Sequence, residues 1–159
     1  MSIKTLILVR HAHRDTTLRA LDNGLSEKGH LQAKELAEHL MKECEGKKPL
    51  LLTSAKTRCL ETLKPLALAM GIEVKTDELL MEQLPHESEQ DMSVRIDQFI
   101  TSWETEMPEL VIVCSHGDWL PVAIDRMTGQ FVDMGKGSCI VITHDGQNAK
   151  LSKPFWRAQ

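Results

Sequence analysis

Three polar clusters in this 159-residue chain each follow directly on an apolar run of strand length. Arg10-His11 follows the run TLILV at residues 5–9, Ser54 and Arg58 follow LLLT at 50–53, and Ser115-His116-Gly117-Asp118 follows LVIVC at 110–114. Arginine presents a planar fork of donors that matches phosphate oxygens. A neutral imidazole can attack phosphorus through one ring nitrogen while the other donates to a fixed backbone acceptor. Brought together, these groups would bind a phosphoryl group and could take it onto nitrogen. His11 would attack, Arg10, Arg58 and a protonated His116 would hold the equatorial oxygens, and water would reverse the step. Ser54, Gly117 and Asp118 would be at hand to contact the substrate. The convergence requires the three runs to be strands of one sheet, because ligands of open α/β sheets collect beyond the carboxyl ends of the strands.

The rest of the chain supplies such a sheet. The three runs are continuous and rich in branched residues, as strands covered on both faces are. Residues 10–25 are polar and contain Asp22-Asn23-Gly24, which predicts a loop. Ser26 is an N-cap candidate for a helix in which Ala33, Leu36, Ala37, Leu40, Met41 and Cys44 recur at helical spacing and which Gly46 closes. Cys59, Leu60, Leu63, Leu66, Ala67 and Met70 mark a second helix, bent at Pro65 and ending at Gly71. Ile72–Lys75 reads as a short edge strand. Met92, Ile96, Phe99, Ile100 and Trp103 mark a third, amphipathic helix before Pro108, with Phe99 and Trp103 in the core. A fourth helix covers about 119–127. Ser138–Thr143 and Ala149–Ser152 flank Asp145-Gly146, a hairpin signal. Strands alternating with helices of this length predict one domain over residues 1–159. Its class is α/β: a three-layer α/β/α sandwich with a mainly parallel central sheet and a C-terminal edge hairpin.

Composition narrows the partners. The net charge of −4 and pI near 6.0, with Lys and Arg spread along the chain, argue against a nucleic-acid or acidic-membrane partner. The first apolar run is too short for a membrane span and lacks a small-residue cleavage site, so a cytoplasmic location is expected. Cys44, Cys59, Cys114 and Cys139 form no CxxC pair, which removes the zinc-ribbon and thioredoxin readings and leaves reduced packing thiols. His30, His39, His86 and His144 show no partner pattern and read as surface or helix-face residues. One metal reading exists. His11-Ala12-His13-Arg14-Asp15 matches the first part of an HxHxDH dinuclear motif. Thr16 stands where its last histidine belongs, and Arg10 and Arg14 would set positive charge beside a dication. No metal or cofactor is therefore expected.

The clusters also carry a family resemblance. Leu8-Val9-Arg10-His11-Ala12 resembles the opening arginine–histidine–glycine motif of the histidine phosphatase, or phosphoglycerate mutase-like, superfamily. Leu25-Ser26-Glu27-Lys28-Gly29-His30-Leu31-Gln32-Ala33 is similar to its Leu-Thr-Glu-x-Gly-x-x-Gln-Ala stretch. Thr53 to Arg58 with Glu61-Thr62 resembles its second arginine motif, and Ser115-His116-Gly117 its second histidine motif. Four motifs in order from Leu6 to about Val122 are specific where an Arg-His pair alone is not. The resemblance, strongest to the small bacterial phosphohistidine phosphatases, implies a metal-independent phosphatase. Its substrate would be a phosphomonoester or phosphohistidine, on a phosphorylated small molecule or phosphoprotein. His11 would be the phosphorylated nucleophile, with Arg10, Arg58 and His116 completing the phosphate pocket. Glu82 stands near the place of the family's proton donor, with Glu87 and Asp118 as alternatives. Ala12 replaces the usual glycine and adds a Cβ to that turn. A module that binds phosphorylated ligands without turning them over is the other reading of the same fold. The short segments Ala12–Leu25 and Glu82–Asp91 predict an open, shallow pocket.

Overall fold

Continuous apolar runs in the central strands, buried on both faces, decide the layering. The computed structural model describes residues 3–159. Its strands are β1 (Lys4–Arg10), β2 (Leu50–Thr53), β3 (Val74–Thr76), β4 (Leu110–Ser115), β5 (Ser138–His144) and β6 (Ala149–Arg157). They form one sheet in the order β3-β2-β4-β1-β5-β6. The first four in that order run parallel, while β5 is antiparallel to β1 and β6 to β5. Leu6, Leu8, Val111 and Val113 pack on one side with α3 (Glu89–Glu106) and α4 (Leu120–Thr128), through Ile96, Phe99, Trp103 and Ile124. Ile7, Val9, Ile112 and Cys114 pack on the other with α1 (Glu27–Cys44) and α2 (Thr57–Met70), through Leu36, Leu40, Leu63 and Leu66. Successive side chains of a strand face opposite ways, so a strand covered on both faces must be apolar at every position. The expected three-layer sandwich with its C-terminal edge hairpin follows.

Helices α1 and α3 start where a capping side chain satisfies free N–H groups. Ser26 Oγ accepts from Gly29 N at 3.1 Å, and Ser88 and Asp91 form a reciprocal capping box on α3. Several boundaries differ from expectation. Helix α1 is closed by Glu45 in the left-handed region (φ 49°), one residue before Gly46. Helix α2, by contrast, contains Pro65 and closes on Gly71 as expected. Strand β3 begins at Val74, and β6 continues past Ser152 to Arg157 as an edge strand with register shifts against β5.

One of the four unassigned histidines, His144, also differs. His144 is buried at the end of β5, with Nε2 3.1 Å from a Glu104 oxygen, Nδ1 accepting from Gly146 N at 3.0 Å, and the ring edge-on to Trp103. His39 on α1 stacks on Trp156 with centroids 4.1 Å apart. His30 and His86 are exposed. The four thiols are free and buried, and burial pushes Cys44 up to about 11 and Cys139 up to about 12. Among the described residues no helix is long and apolar enough to cross a membrane.

Candidate active site

The carboxyl ends of β1, β4 and β2 lie side by side, with Arg10 opposite Ser115 and Thr53 opposite Cys114. Backbone pairing continues just past the strands: His11 N donates to Ser115 O at 3.2 Å and Ser54 N to Cys114 O at 3.1 Å. The three polar clusters therefore open on one cleft of about 440 Å³, lined by Arg10, His11, Arg58, Glu82, His116, Gly117 and Asp118 among others.

His11 is only 5% exposed. Its Nδ1 donates to Ala12 O at 2.8 Å, which leaves Nε2 unprotonated and available to attack. Burial pushes its pKa down to about 3. The Ala12 carbonyl acts in the opposite sense, and His116, Arg58 and Arg10 add to the depression. A ring this hard to protonate keeps its lone pair at neutral pH. The Cβ of Ala12 is accommodated, because the residue is not at positive φ and its methyl packs with Leu25 and Ala33. Ala12 N donates to Thr62 Oγ1 at 3.0 Å, and Thr62 Oγ1 donates to Arg58 O at 2.6 Å, so one hydroxyl couples the His11 turn to α2.

Both arginines keep donors in reserve. Arg10 Nη1 donates to Met134 O at 2.6 Å and Arg58 Nη2 to Glu82 Oε2 at 2.8 Å, yet Nε of each is buried without a partner. Unpaired buried donors on two guanidinium groups are costly, and a bound anion would satisfy them. Gly117 does more than line the cleft: a Cβ there would lie 2.7 Å from Arg10 Cζ, so only glycine lets this guanidinium settle. His116 sits with its ring 5.6 Å from that of His11. Its Nε2 is 2.8 Å from Ser54 Oγ, which itself donates to Met81 Sδ, so Nε2 carries the proton and Nδ1 is left towards Arg58 Nη2 at 3.3 Å.

Some expected contacts fall elsewhere. Ser54 is fully buried behind His116 and orients that ring instead of lining the cleft. Glu87 does not line the cleft: Arg95 grips its two oxygens at 2.6 and 2.7 Å, and this pairing holds its carboxyl below the ordinary range. Glu82 does reach the cleft, with Oε2 also 3.9 Å from His116 Nδ1. Asp118 lines it as well, accepting from Gln83 N at 2.9 Å.

The Leu25–Ala33 stretch braces the turn from behind. Gln32 Oε1 accepts from His13 N at 2.9 Å, and a Cβ on Gly29 would stand 1.9 Å from His13 O. Gly137, at φ 74°, donates its N–H to Arg10 O and His11 O. The HxHxD segment is not arranged for a metal. His13 Nδ1 is 2.7 Å from Ser26 Oγ, Asp15 accepts from Thr17 N, and among the described residues no three His, Cys, Asp or Glu side chains gather at one point. Sequence reasoning missed Arg19, Lys136 and Asp133, which line the cleft from the loops after β1 and before β5, and it did not count Arg14 among the cleft residues. No spacing rule links positions so far apart.

The model of the histidine phosphatase superfamily, branch 1, matches residues 6–85 of this chain. No curated protein sequence matches it. Several solved structures share the fold. A putative alpha-ribazole-5'-P phosphatase from Escherichia coli superposes with a TM-score of 0.81 at 19% identity, covering 98% of this chain and 97% of that one. A mycobacterial glucosyl-3-phosphoglycerate phosphatase gives 0.75 at 20% identity, covering 99% and 100%. YhfR of Bacillus stearothermophilus gives 0.74 at 21% identity, covering 94% and 95%.

Proposed function

This chain belongs to the histidine phosphatase superfamily, and from that premise we propose that it hydrolyses a phosphomonoester or phosphohistidine, without a metal ion, through a phosphohistidine on His11. Its fold neighbours include proteins named as phosphatases, which supports a hydrolase. The observation that carries the reading is the state of His11: Nδ1–H is tied to Ala12 O, and Nε2 is free beside two arginines whose buried Nε atoms lack partners.

The chemistry runs in two displacements. Arg10 and Arg58 take the nonbridging oxygens, and His116 Nδ1, once protonated, donates to a third contact. His11 Nε2 forms a bond to phosphorus as the P–O bond to the leaving group breaks. Glu82 supplies the proton that the departing oxygen needs. In the second step Glu82 takes a proton from water, whose oxygen attacks phosphorus and returns His11 to its neutral form with release of phosphate. Asp118 is the alternative acid. A phosphohistidine substrate needs the acid least, since a protonated imidazole is a good leaving group. The open cleft suits a phosphorylated small molecule or a phosphorylated side chain on a protein, and a cytoplasmic location accompanies the proposal.

The test is a panel of phosphorylated substrates that includes a nitrophenyl phosphate and a phosphohistidine protein, assayed after prolonged chelation. Turnover that survives chelation is expected. Binding without turnover would leave a ligand-binding module, and activity lost to the chelator and restored by zinc or manganese would overturn metal independence.

A further inference from the structure

The cleft carries three cations that the two displacements do not use. Arg14 and Arg19 come from the loop after β1, and Lys136 from the loop before β5. Among the described residues none of the three is in an ion pair. Arg14 Nη2 leans on the carbonyls of Arg19 and Leu21 at 3.4 and 3.3 Å, while its Nε is buried without a partner. The Lys136 ammonium is held below the usual lysine range, first by burial and then by Arg10, Arg19, Arg14 and Arg58. A lysine that feels four guanidinium groups stands in a cluster of like charge.

The carboxylates of the cleft offset that cluster only in part. Glu82 is paired with Arg58, Asp118 accepts from Gln83 N, and Asp133 is exposed on the same loop as Lys136. Five arginine and lysine side chains against three carboxylates leave the cleft cationic, and in a chain of net charge −4 such a patch stands out. Arg10 and Arg58 account for one phosphoryl group. The remaining three cations exceed what that group requires.

We propose that Arg14, Arg19 and Lys136 form a second anion subsite, so that the preferred substrate carries a carboxylate or further phosphate beside the phosphoryl group to be removed. This rests on the phosphatase reading of the cleft and narrows it to substrates with a second anionic group. Arg19 and Lys136 reach the second anion from two separate loops, while Arg14 is steadied by its own loop.

Phosphonates test the subsite without turnover, because their C–P bond does not hydrolyse. Propylphosphonate and 3-phosphonopropanoate match in length and differ by one carboxylate. Calorimetric titration at low salt should show the carboxylate-bearing compound binding about tenfold more tightly, as two or three partly exposed charge contacts allow. The preference should shrink in Lys136→Gln and in Arg19→Gln, vanish in the double variant, and fade as salt is raised. Equal affinities in the wild type, or a preference that the double variant keeps, would overturn the subsite; if both compounds are still displaced by inorganic phosphate, the phosphoryl pocket stands. Failure of both phosphonates and of phosphate to bind would overturn the pocket itself. The source of the second anion is read from phosphoserine peptides flanked by glutamate or by glutamine. A higher kcat/KM for the glutamate peptide assigns it to a protein segment, and equal values with the phosphonate preference intact assign it to a small molecule.

Discussion

The two ends of the sheet treat buried polar groups in opposite ways. At the amino end of β1, Lys4 Nζ donates to Trp103 O and Met107 O at 2.8 and 2.6 Å, and both ring nitrogens of His144 have partners. Trp103 Nε1 is unpartnered there, but it is a neutral donor. At the carboxyl end, His11 Nε2 and the Nε atoms of Arg10 and Arg58 are buried or nearly so and unpaired, although two of these groups are charged. One end pairs its charged and titratable groups and serves stability. The other withholds its hydrogen bonds, which is what a site for an anion requires.

The largest effects should come from exchanging the two kinds of histidine. His11→Ala should cut kcat/KM by on the order of a millionfold, as loss of a nucleophile does, with no loss of melting temperature. His144→Ala should do the reverse, costing about 1–2 kcal/mol of stability with kcat/KM retained. Equal losses of stability in both would erase the contrast between the ends.

Arg58→Lys keeps the charge and removes the paired donors. Steady-state kinetics should show a loss of about 2–4 kcal/mol in transition-state stabilisation, the scale of one preorganised donor. Full kcat/KM in this variant would mean that the unpaired Nε has no partner in the reaction.

Glu82→Gln should slow alkyl phosphate hydrolysis on the order of a hundredfold more than nitrophenyl phosphate hydrolysis, because only a strongly basic leaving oxygen needs the acid. A selective loss in Asp118→Asn instead would transfer the role.

The depressed pKa of His11 also has a signature in stability. Unfolding restores the ring to an ordinary value of 6.5 from about 3. Between these values the unfolded chain binds the extra proton, so this contribution is complete above pH 6.5 and is lost as pH falls towards 3. Over that window wild type should lose up to about 1.4 kcal/mol per pH unit that His11→Gln does not lose. Parallel pH–stability curves for the two would show that His11 is not desolvated.

The sequence made the middle of the fold legible because β1, β2 and β4 each carry a continuous apolar run, and burial on both faces explains that. Strand β6 was read too short because an edge strand needs one apolar face at most, and Lys153-Pro154 looks like an ending. His11, Arg10, Arg58 and His116 were legible because each lies at or just beyond the end of such a strand. The partners of His144 and His39 were not, since Glu104 and Trp156 meet them only through packing across layers and edges. Ser54 was recognised but misplaced: its position after β2 suggested contact with substrate, whereas the depth of His116 turns its hydroxyl inward.

The most direct test is to catch the phosphoryl group in transit. Brief incubation with a labelled phosphate donor, quenched at alkaline pH and mapped by peptide, should leave acid-labile label on His11. Label on a serine or aspartate, or sustained turnover by His11→Ala near the wild-type rate, would contradict the phosphohistidine intermediate and the role of the unsatisfied end of the sheet.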